Sequence, residues 1–137
     1  MLKIDPAIEA KLTAPGVVTD ATFEALVTQS KGAVIVDFWA DYCGPCHMSM
    51  PLVYKLAHEY AGRITVLKMD TQENREVMRR FKLPGVPTLL FFLDGAKVDE
   101  QVGFPGYDVV REKFDELAVQ AGHASTTDTR ELAFAAA

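Results

Sequence analysis

Hydrophobic residues in this chain fall into short blocks whose spacing alternates between continuous and one in three or four. Ala33-Val34-Ile35-Val36-Asp37-Phe38-Trp39-Ala40 is nearly unbroken and rich in β-branched residues. That pattern predicts a strand buried on both faces, the usual setting of a central parallel strand. Val17-Val18, residues 64–69 and residues 88–93 predict three more strands. Asp94-Gly95 is a strong hairpin signal leading into a fifth, over 96–102.

Helical spacing fills the gaps. Asp20 stands where it can cap a helix carrying Phe23, Leu26 and Val27 at i, i+3 and i+4. A longer helix is predicted from just after Cys43 to about residue 61, because Leu52, Leu56 and Tyr60 recur every four positions beside Val53 and Ala57. Pro51 falls inside it and predicts a kink. Asn74 is placed to cap a short helix with Val77, Met78 and Phe81. Val110, Phe114, Leu117 and Ala121 give one clean face to a last helix.

The order is βα, βα, βα, then a hairpin and a helix. It predicts an α/β fold with a central mixed sheet: parallel strands from the βα units, plus a C-terminal antiparallel hairpin, with helices on both faces. Residues 18–122 are expected to form the one domain. Residues 1–17 are expected to be an N-terminal extension broken by Pro6, Pro15 and Gly16, with a short helix over 6–12. Residues 123–137 are expected to be a small, polar tail, partly helical from Asp128.

Composition narrows the functional classes. The 137 residues are 49% hydrophobic and 24% charged, as in an ordinary globular domain. A chain of this length builds a core without disulfide staples or a structural metal. Lys and Arg number 14 against 19 Asp and Glu, a net charge of −5 with no basic run. That balance argues against binding nucleic acid or an anionic membrane surface. No apolar run approaches the ~18–20 residues of a membrane span. Asp5 and Glu9 interrupt the start of the chain before any apolar signal region forms, so the expected compartment is the cytoplasm. The expected form is a monomer.

The two cysteines stand at 43 and 46, too few to staple a small secreted scaffold, so their value is expected to be chemical. A Cys-x-x-Cys between a strand and a helix puts Cys43 at the helix N-terminus. Free N–H groups and the helix dipole there favour a thiolate. Cys46 lies one turn inside, close enough to close a small disulfide ring, and Pro45 suits the first helical turn. Cys43 is therefore expected to be the exposed attacking thiol and Cys46 the more buried resolving thiol. A zinc site, two inert core cysteines and a static disulfide are the bland readings. Zinc lacks ligands: there is no second Cys pair, and although His47 adjoins Cys46, His58 and His123 have no motif spacing. So small a loop offers little entropic stabilisation to a static disulfide.

Trp39-Ala40-Asp41-Tyr42-Cys43-Gly44-Pro45-Cys46 resembles the active-site motif of the thioredoxin family. Val36-Asp37-Phe38, Pro51, Val86-Pro87-Thr88 and Val102-Gly103 fall where that family has matching residues. The resemblance covers about residues 18–122 and implies the thioredoxin fold. Departures are Tyr42 in place of a second Trp, His47 in place of Lys or Arg, Phe104 in place of a small residue, and Pro84 in place of a charged or polar one.

Asp37 interrupts an apolar strand, and a buried carboxylate without a partner should have a raised pKa. The resemblance implies that Asp37 exchanges a proton with Cys46, that Lys68 neighbours this acid, and that Val86-Pro87 is a cis peptide with Pro87 against the cysteines. Trp39 is expected near the redox centre, and Gly103, lacking a Cβ, is expected to admit a substrate chain. Tyr42, Gly44, Pro45, Val86 and Phe104 are expected to surround Cys43 as an apolar docking patch.

The implied function is protein-disulfide reduction by dithiol–disulfide exchange. No bound cofactor is expected beyond the redox-active disulfide Cys43–Cys46, and no dinucleotide-binding motif is present. The implied partners are disulfide-containing proteins as substrates and an NADPH-dependent thioredoxin reductase as electron donor. A redox-independent binding module or co-chaperone of the same fold is the alternative. A net oxidase or isomerase is a third reading, against which the Gly-Pro dipeptide leans.

Overall fold

The structure, a computed structural model, describes residues 14–124. In chain order it holds β1 (Gly16–Val17), α1 (Glu24–Thr28), β2 (Ala33–Trp39), α2 (Gly44–Glu59), β3 (Ile64–Asp70), α3 (Arg75–Arg80), β4 (Thr88–Leu93), β5 (Ala96–Val102) and α4 (Tyr107–Gln120). The expected helices at 6–12 and from Asp128 lie outside the described residues. The strands form one sheet in the order β1-β3-β2-β4-β5. β1 and β2 both run parallel to β3, while β4 runs antiparallel to β2 and to β5. This is the mixed sheet expected from the element order. Pairing begins at Gly16, opposite Leu67, two residues ahead of the expected domain edge at 18.

The central position of β2 explains its unbroken apolar run. Side chains alternate across a strand. Ala33 and Ile35 join Val66, Leu89 and Phe91 in a core under α2 and α4, with Val53, Leu56, Phe114 and Leu117. Val34, Val36 and Phe38 join Leu90 and Phe92 in a second core on the opposite face, with Phe23, Val27 and Val77. Asp37 has the parity of Ile35, and Lys68 has the parity of Val66. The sheet therefore aims both at the face covered by α2.

The hairpin forms as expected, with φ of 49° at Asp94 and 84° at Gly95. Both central residues sit in the left-handed region, as the turn that matches strand twist requires. Gly95 also lies against the Thr28 carbonyl, where a Cβ would collide with backbone.

Two capping expectations change. The helix after Asp20 is one wide π-type turn, closed by Gln29 N–H donating to the Glu24 carbonyl at 2.8 Å. Asp20 does not cap it. The Asp20 carboxylate instead accepts from Glu76 N at 3.1 Å and Val77 N at 3.0 Å, capping α3 from 56 residues away. Asn74, at the N-cap position of α3, makes no side-chain cap bond. Its Oδ1 accepts from Asp20 N and its Nδ2 donates to the Asp70 carbonyl. The physical reason is proximity: α1 and α3 cover the same sheet face, so the carboxylate reaches N–H groups that the local amide does not use. α2 runs through Pro51 as one helix. Leu26, expected on the buried face, is exposed.

Candidate active site

Cys43 and Cys46 are joined by a disulfide, their Cα atoms 5.3 Å apart. Cys43 is the N-cap of α2, in an extended conformation, and its Sγ accepts from Cys46 N at 3.2 Å. Side-chain acceptors at an N-cap satisfy one of the free N–H groups of the first turn. A thiolate does so better than a thiol, because the N–H groups and the dipole favour negative charge. Pro45 occupies the first turn, where its missing N–H costs no bond.

The expected order of exposure holds, but the expected openness does not. Cys43 is only 7% exposed and Cys46 1%. Trp39 and Val86 pack against a small cluster of Ala40 and the two cysteines. The loop before the helix is pinned at both ends. Thr71 donates twice to the Trp39 carbonyl, from its amide at 2.9 Å and its hydroxyl at 3.1 Å. His47 Nε2 lies 2.7 Å from the Asp41 carbonyl, and since a carbonyl only accepts, that nitrogen donates.

Val86–Pro87 is a cis peptide, as the resemblance implied. Thr88 Oγ1 donates to the Gly85 carbonyl at 2.7 Å and Gly103 N to the Pro87 carbonyl at 2.8 Å, so this loop is held to β4 and β5. Gly103 has φ of 76°, and nothing lies within 4 Å of where its Cβ would be. Gly44 and Pro45 are exposed on the first turn of α2.

One member of the expected docking patch packs elsewhere. Phe104 packs against the core under α2 and α4, because an aromatic ring gains more from burial there than from solvent beside Cys43. Tyr42 is 74% exposed and lines a groove with residues of α3.

Asp37 is 1% exposed, and its Oδ2 has no hydrogen-bond partner among the described residues. Burial pushes its pKa up to about 7, against a smaller opposing pull from the Lys68 charge. Lys68 is the register partner of Asp37 across β2 and β3. Its ammonium donates to the Tyr54 hydroxyl at 2.9 Å. Tyr54 is the participant that the sequence reading missed. Its only signal was a hydroxyl beside the buried stripe of Val53 and Ala57, and nothing local tied it to residue 68.

Among the described residues no group of three or more His, Cys, Asp or Glu stands close enough to hold a metal ion. No described helix is long and apolar enough to cross a membrane. What the arrangement offers is a redox-active cysteine pair at a helix N-terminus, with a buried acid poised near neutrality under the same helix.

The thioredoxin family profile matches residues 14–116. Thioredoxin 1 of Nostoc sp. is 45% identical over 92 residues, covering 67% of this chain and 86% of that protein. Thioredoxin 1 of Synechococcus elongatus is 45% identical over 86 residues, covering 63% and 80%. The thioredoxin of Staphylococcus aureus is 40% identical over 99 residues, covering 72% and 93%.

Proposed function

Because the chain belongs to the thioredoxin family and is a thiol–disulfide oxidoreductase acting on protein disulfides, we propose that its two cysteines act in a fixed order. The Cys43 thiolate attacks one sulfur of a substrate disulfide. A mixed disulfide forms and the other substrate sulfur leaves, taking a proton. Cys46 then gives its proton to Asp37 and attacks the Cys43 sulfur. The second substrate thiol departs, and the protein is left with the Cys43–Cys46 disulfide. Two electrons have moved from the cysteine pair to the substrate.

The observation that carries this reading is the cysteine pair at the start of α2, with Cys43 capping the helix and Cys46 one turn inside. Asp37 supports the second step. An acid with a pKa of about 7 is partly ionised at neutral pH, so it accepts and returns a proton with little driving force either way. Lys68 is proposed to limit how far that pKa rises. Pro87 lines the reaction site, and Trp39, Tyr42, Gly44, Pro45, Val86 and Gly103 form the surface that a substrate meets. An extended substrate segment pairs with the Val86 backbone by strand addition. Phe104 supports this rim from the core side.

The catalytic unit runs from β1 to α4, with the flanking segments as extensions. The electron donor is an NADPH-dependent thioredoxin reductase, the substrates are disulfide-containing proteins, and the working form is a cytoplasmic monomer. The test is trapping. Cys46→Ser should accumulate mixed disulfides between Cys43 and substrate proteins, and iodoacetamide should modify Cys43 of the reduced wild type before Cys46. Equal alkylation with no trapped partner would overturn the order. A Cys43→Ser, Cys46→Ser double variant that keeps its full cellular role would favour a redox-independent binding module.

A further inference from the structure

Next to the reactive pair, on the α3 side, lies a shallow groove of about 420 Å³. Tyr42, the chain neighbour of Cys43, lines it together with Arg75, Met78, Arg79, Lys82 and Leu83. Three cations line this groove and no carboxylate does, although the whole chain carries −5. Arg80, on the same helix, is neutralised by an ion pair with Glu24. Arg75, Arg79 and Lys82 make no ion pair with a carboxylate among the described residues.

The groove is also built with some conformational cost. Leu83 N donates to the Met78 carbonyl and Lys82 N to the Arg79 carbonyl, both at 3.1 Å, closing α3 in a Schellman arrangement. The residue at the left-handed position of such a cap is usually Gly, but here it is Lys82 with φ of 51°. Glycine would sit there without strain. The chain keeps a long cation instead, at the rim of the groove.

We propose that this groove docks an acidic segment of the substrate protein, with carboxylates close in sequence to the disulfide that Cys43 attacks. The inference rests on the reductase reading and adds a substrate class to it. Arg75, Arg79 and Lys82 supply charge complementarity, and Tyr42, Met78 and Leu83 supply apolar surface for the stems of Glu side chains. Nucleic acid fits less well. Three cations on an acidic protein do not track a phosphate backbone, which the rest of the surface repels.

The test uses two short disulfide-bonded peptides that differ only in flanking residues, glutamates in one and lysines in the other. At low ionic strength the wild type should reduce the Glu peptide with a kcat/KM about three- to tenfold higher, as expected of a few exposed charge pairs. The preference should vanish in 1 M salt, where charges are screened beyond ~3 Å. Arg79→Glu combined with Lys82→Glu should reverse it. Reduction of bis(2-hydroxyethyl) disulfide, uncharged and too small to reach the groove, should be equal in the two proteins. A second measurement does not depend on turnover. A Glu peptide with serine in place of cysteine should shift the resonances of Tyr42, Arg75 and Met78 in the oxidised wild type, and not in the double variant. Equal rates on the two peptides, or a double variant that keeps the Glu preference, would overturn the groove. So would unshifted resonances, even with turnover intact. Failure of the wild type to reduce the small disulfide, with those shifts present, would overturn the reductase reading and leave acidic-peptide docking established.

Discussion

Asp37 and Lys68 stand opposite each other across β2 and β3, yet the Lys68 ammonium is held by the Tyr54 hydroxyl at 2.9 Å while Asp37 Oδ2 has no hydrogen-bond partner among the described residues. The acid feels the Lys68 charge but forms no ion pair with it. Burial therefore outweighs attraction, and the pKa rises to about 7.

A pH dependence of stability follows from that shift. Below pH ~4, Asp37 is neutral in both folded and unfolded chains. Between ~4 and ~7, the unfolded chain ionises while the folded one does not, so stability falls as pH rises. Above ~7, both are ionised and the contribution is flat. Asp37→Asn should remove this slope and stabilise the oxidised protein at pH 7.5 by an amount on the order of a few kcal/mol. Denaturant midpoints of wild type and variant across pH 4–8 measure it. The same variant should reduce protein disulfides more slowly at neutral pH. A destabilised variant with unchanged turnover would remove Asp37 from the mechanism.

Trp39, the only tryptophan, packs against the disulfide cluster. A disulfide in contact with an indole quenches its excited state by accepting an electron. Emission should therefore rise when the pair is reduced at fixed pH. Fluorescence read alongside a thiol count checks this, and unchanged emission across the two states would contradict the packing.

Asp20 caps α3 from another element, so its loss should be felt far from its own position. Asp20→Ala should cost ~1–2 kcal/mol, the usual value of a lost cap. Amide hydrogen exchange should speed up at Glu76 and Val77. An effect confined to residues 19–24 would show that the cap is not stabilising α3.

Gly95→Ala joins two penalties, a left-handed φ and a Cβ driven into the Thr28 carbonyl. It should destabilise by at least ~2 kcal/mol. Gly62→Ala is the control, since its φ is also positive at 83° but nothing lies within 4 Å of the added carbon. Equal costs in thermal or denaturant unfolding would mean that the contact with Thr28 contributes nothing.

Local chemistry was enough for much of this molecule. The run 33–40 announced a strand buried on two faces, and Asp94-Gly95 announced its hairpin, because both signals act between neighbours in sequence. The cysteine pair was legible for the same reason: strand, turn and helix start are consecutive, so the helix N–H groups and both sulfurs lie within a few residues. Other relationships arose only when the sheet closed. Asp20 found its acceptor role 56 residues away because α1 and α3 share a face. Lys68 met Tyr54 because β3 and α2 cover the same core. Phe104 left the expected patch around Cys43, drawn against the core under α2 and α4. Periodicity assigns a side chain to a face. Which partner waits on that face depends on strand order and register, and these are decided by the burial of the whole sheet at once.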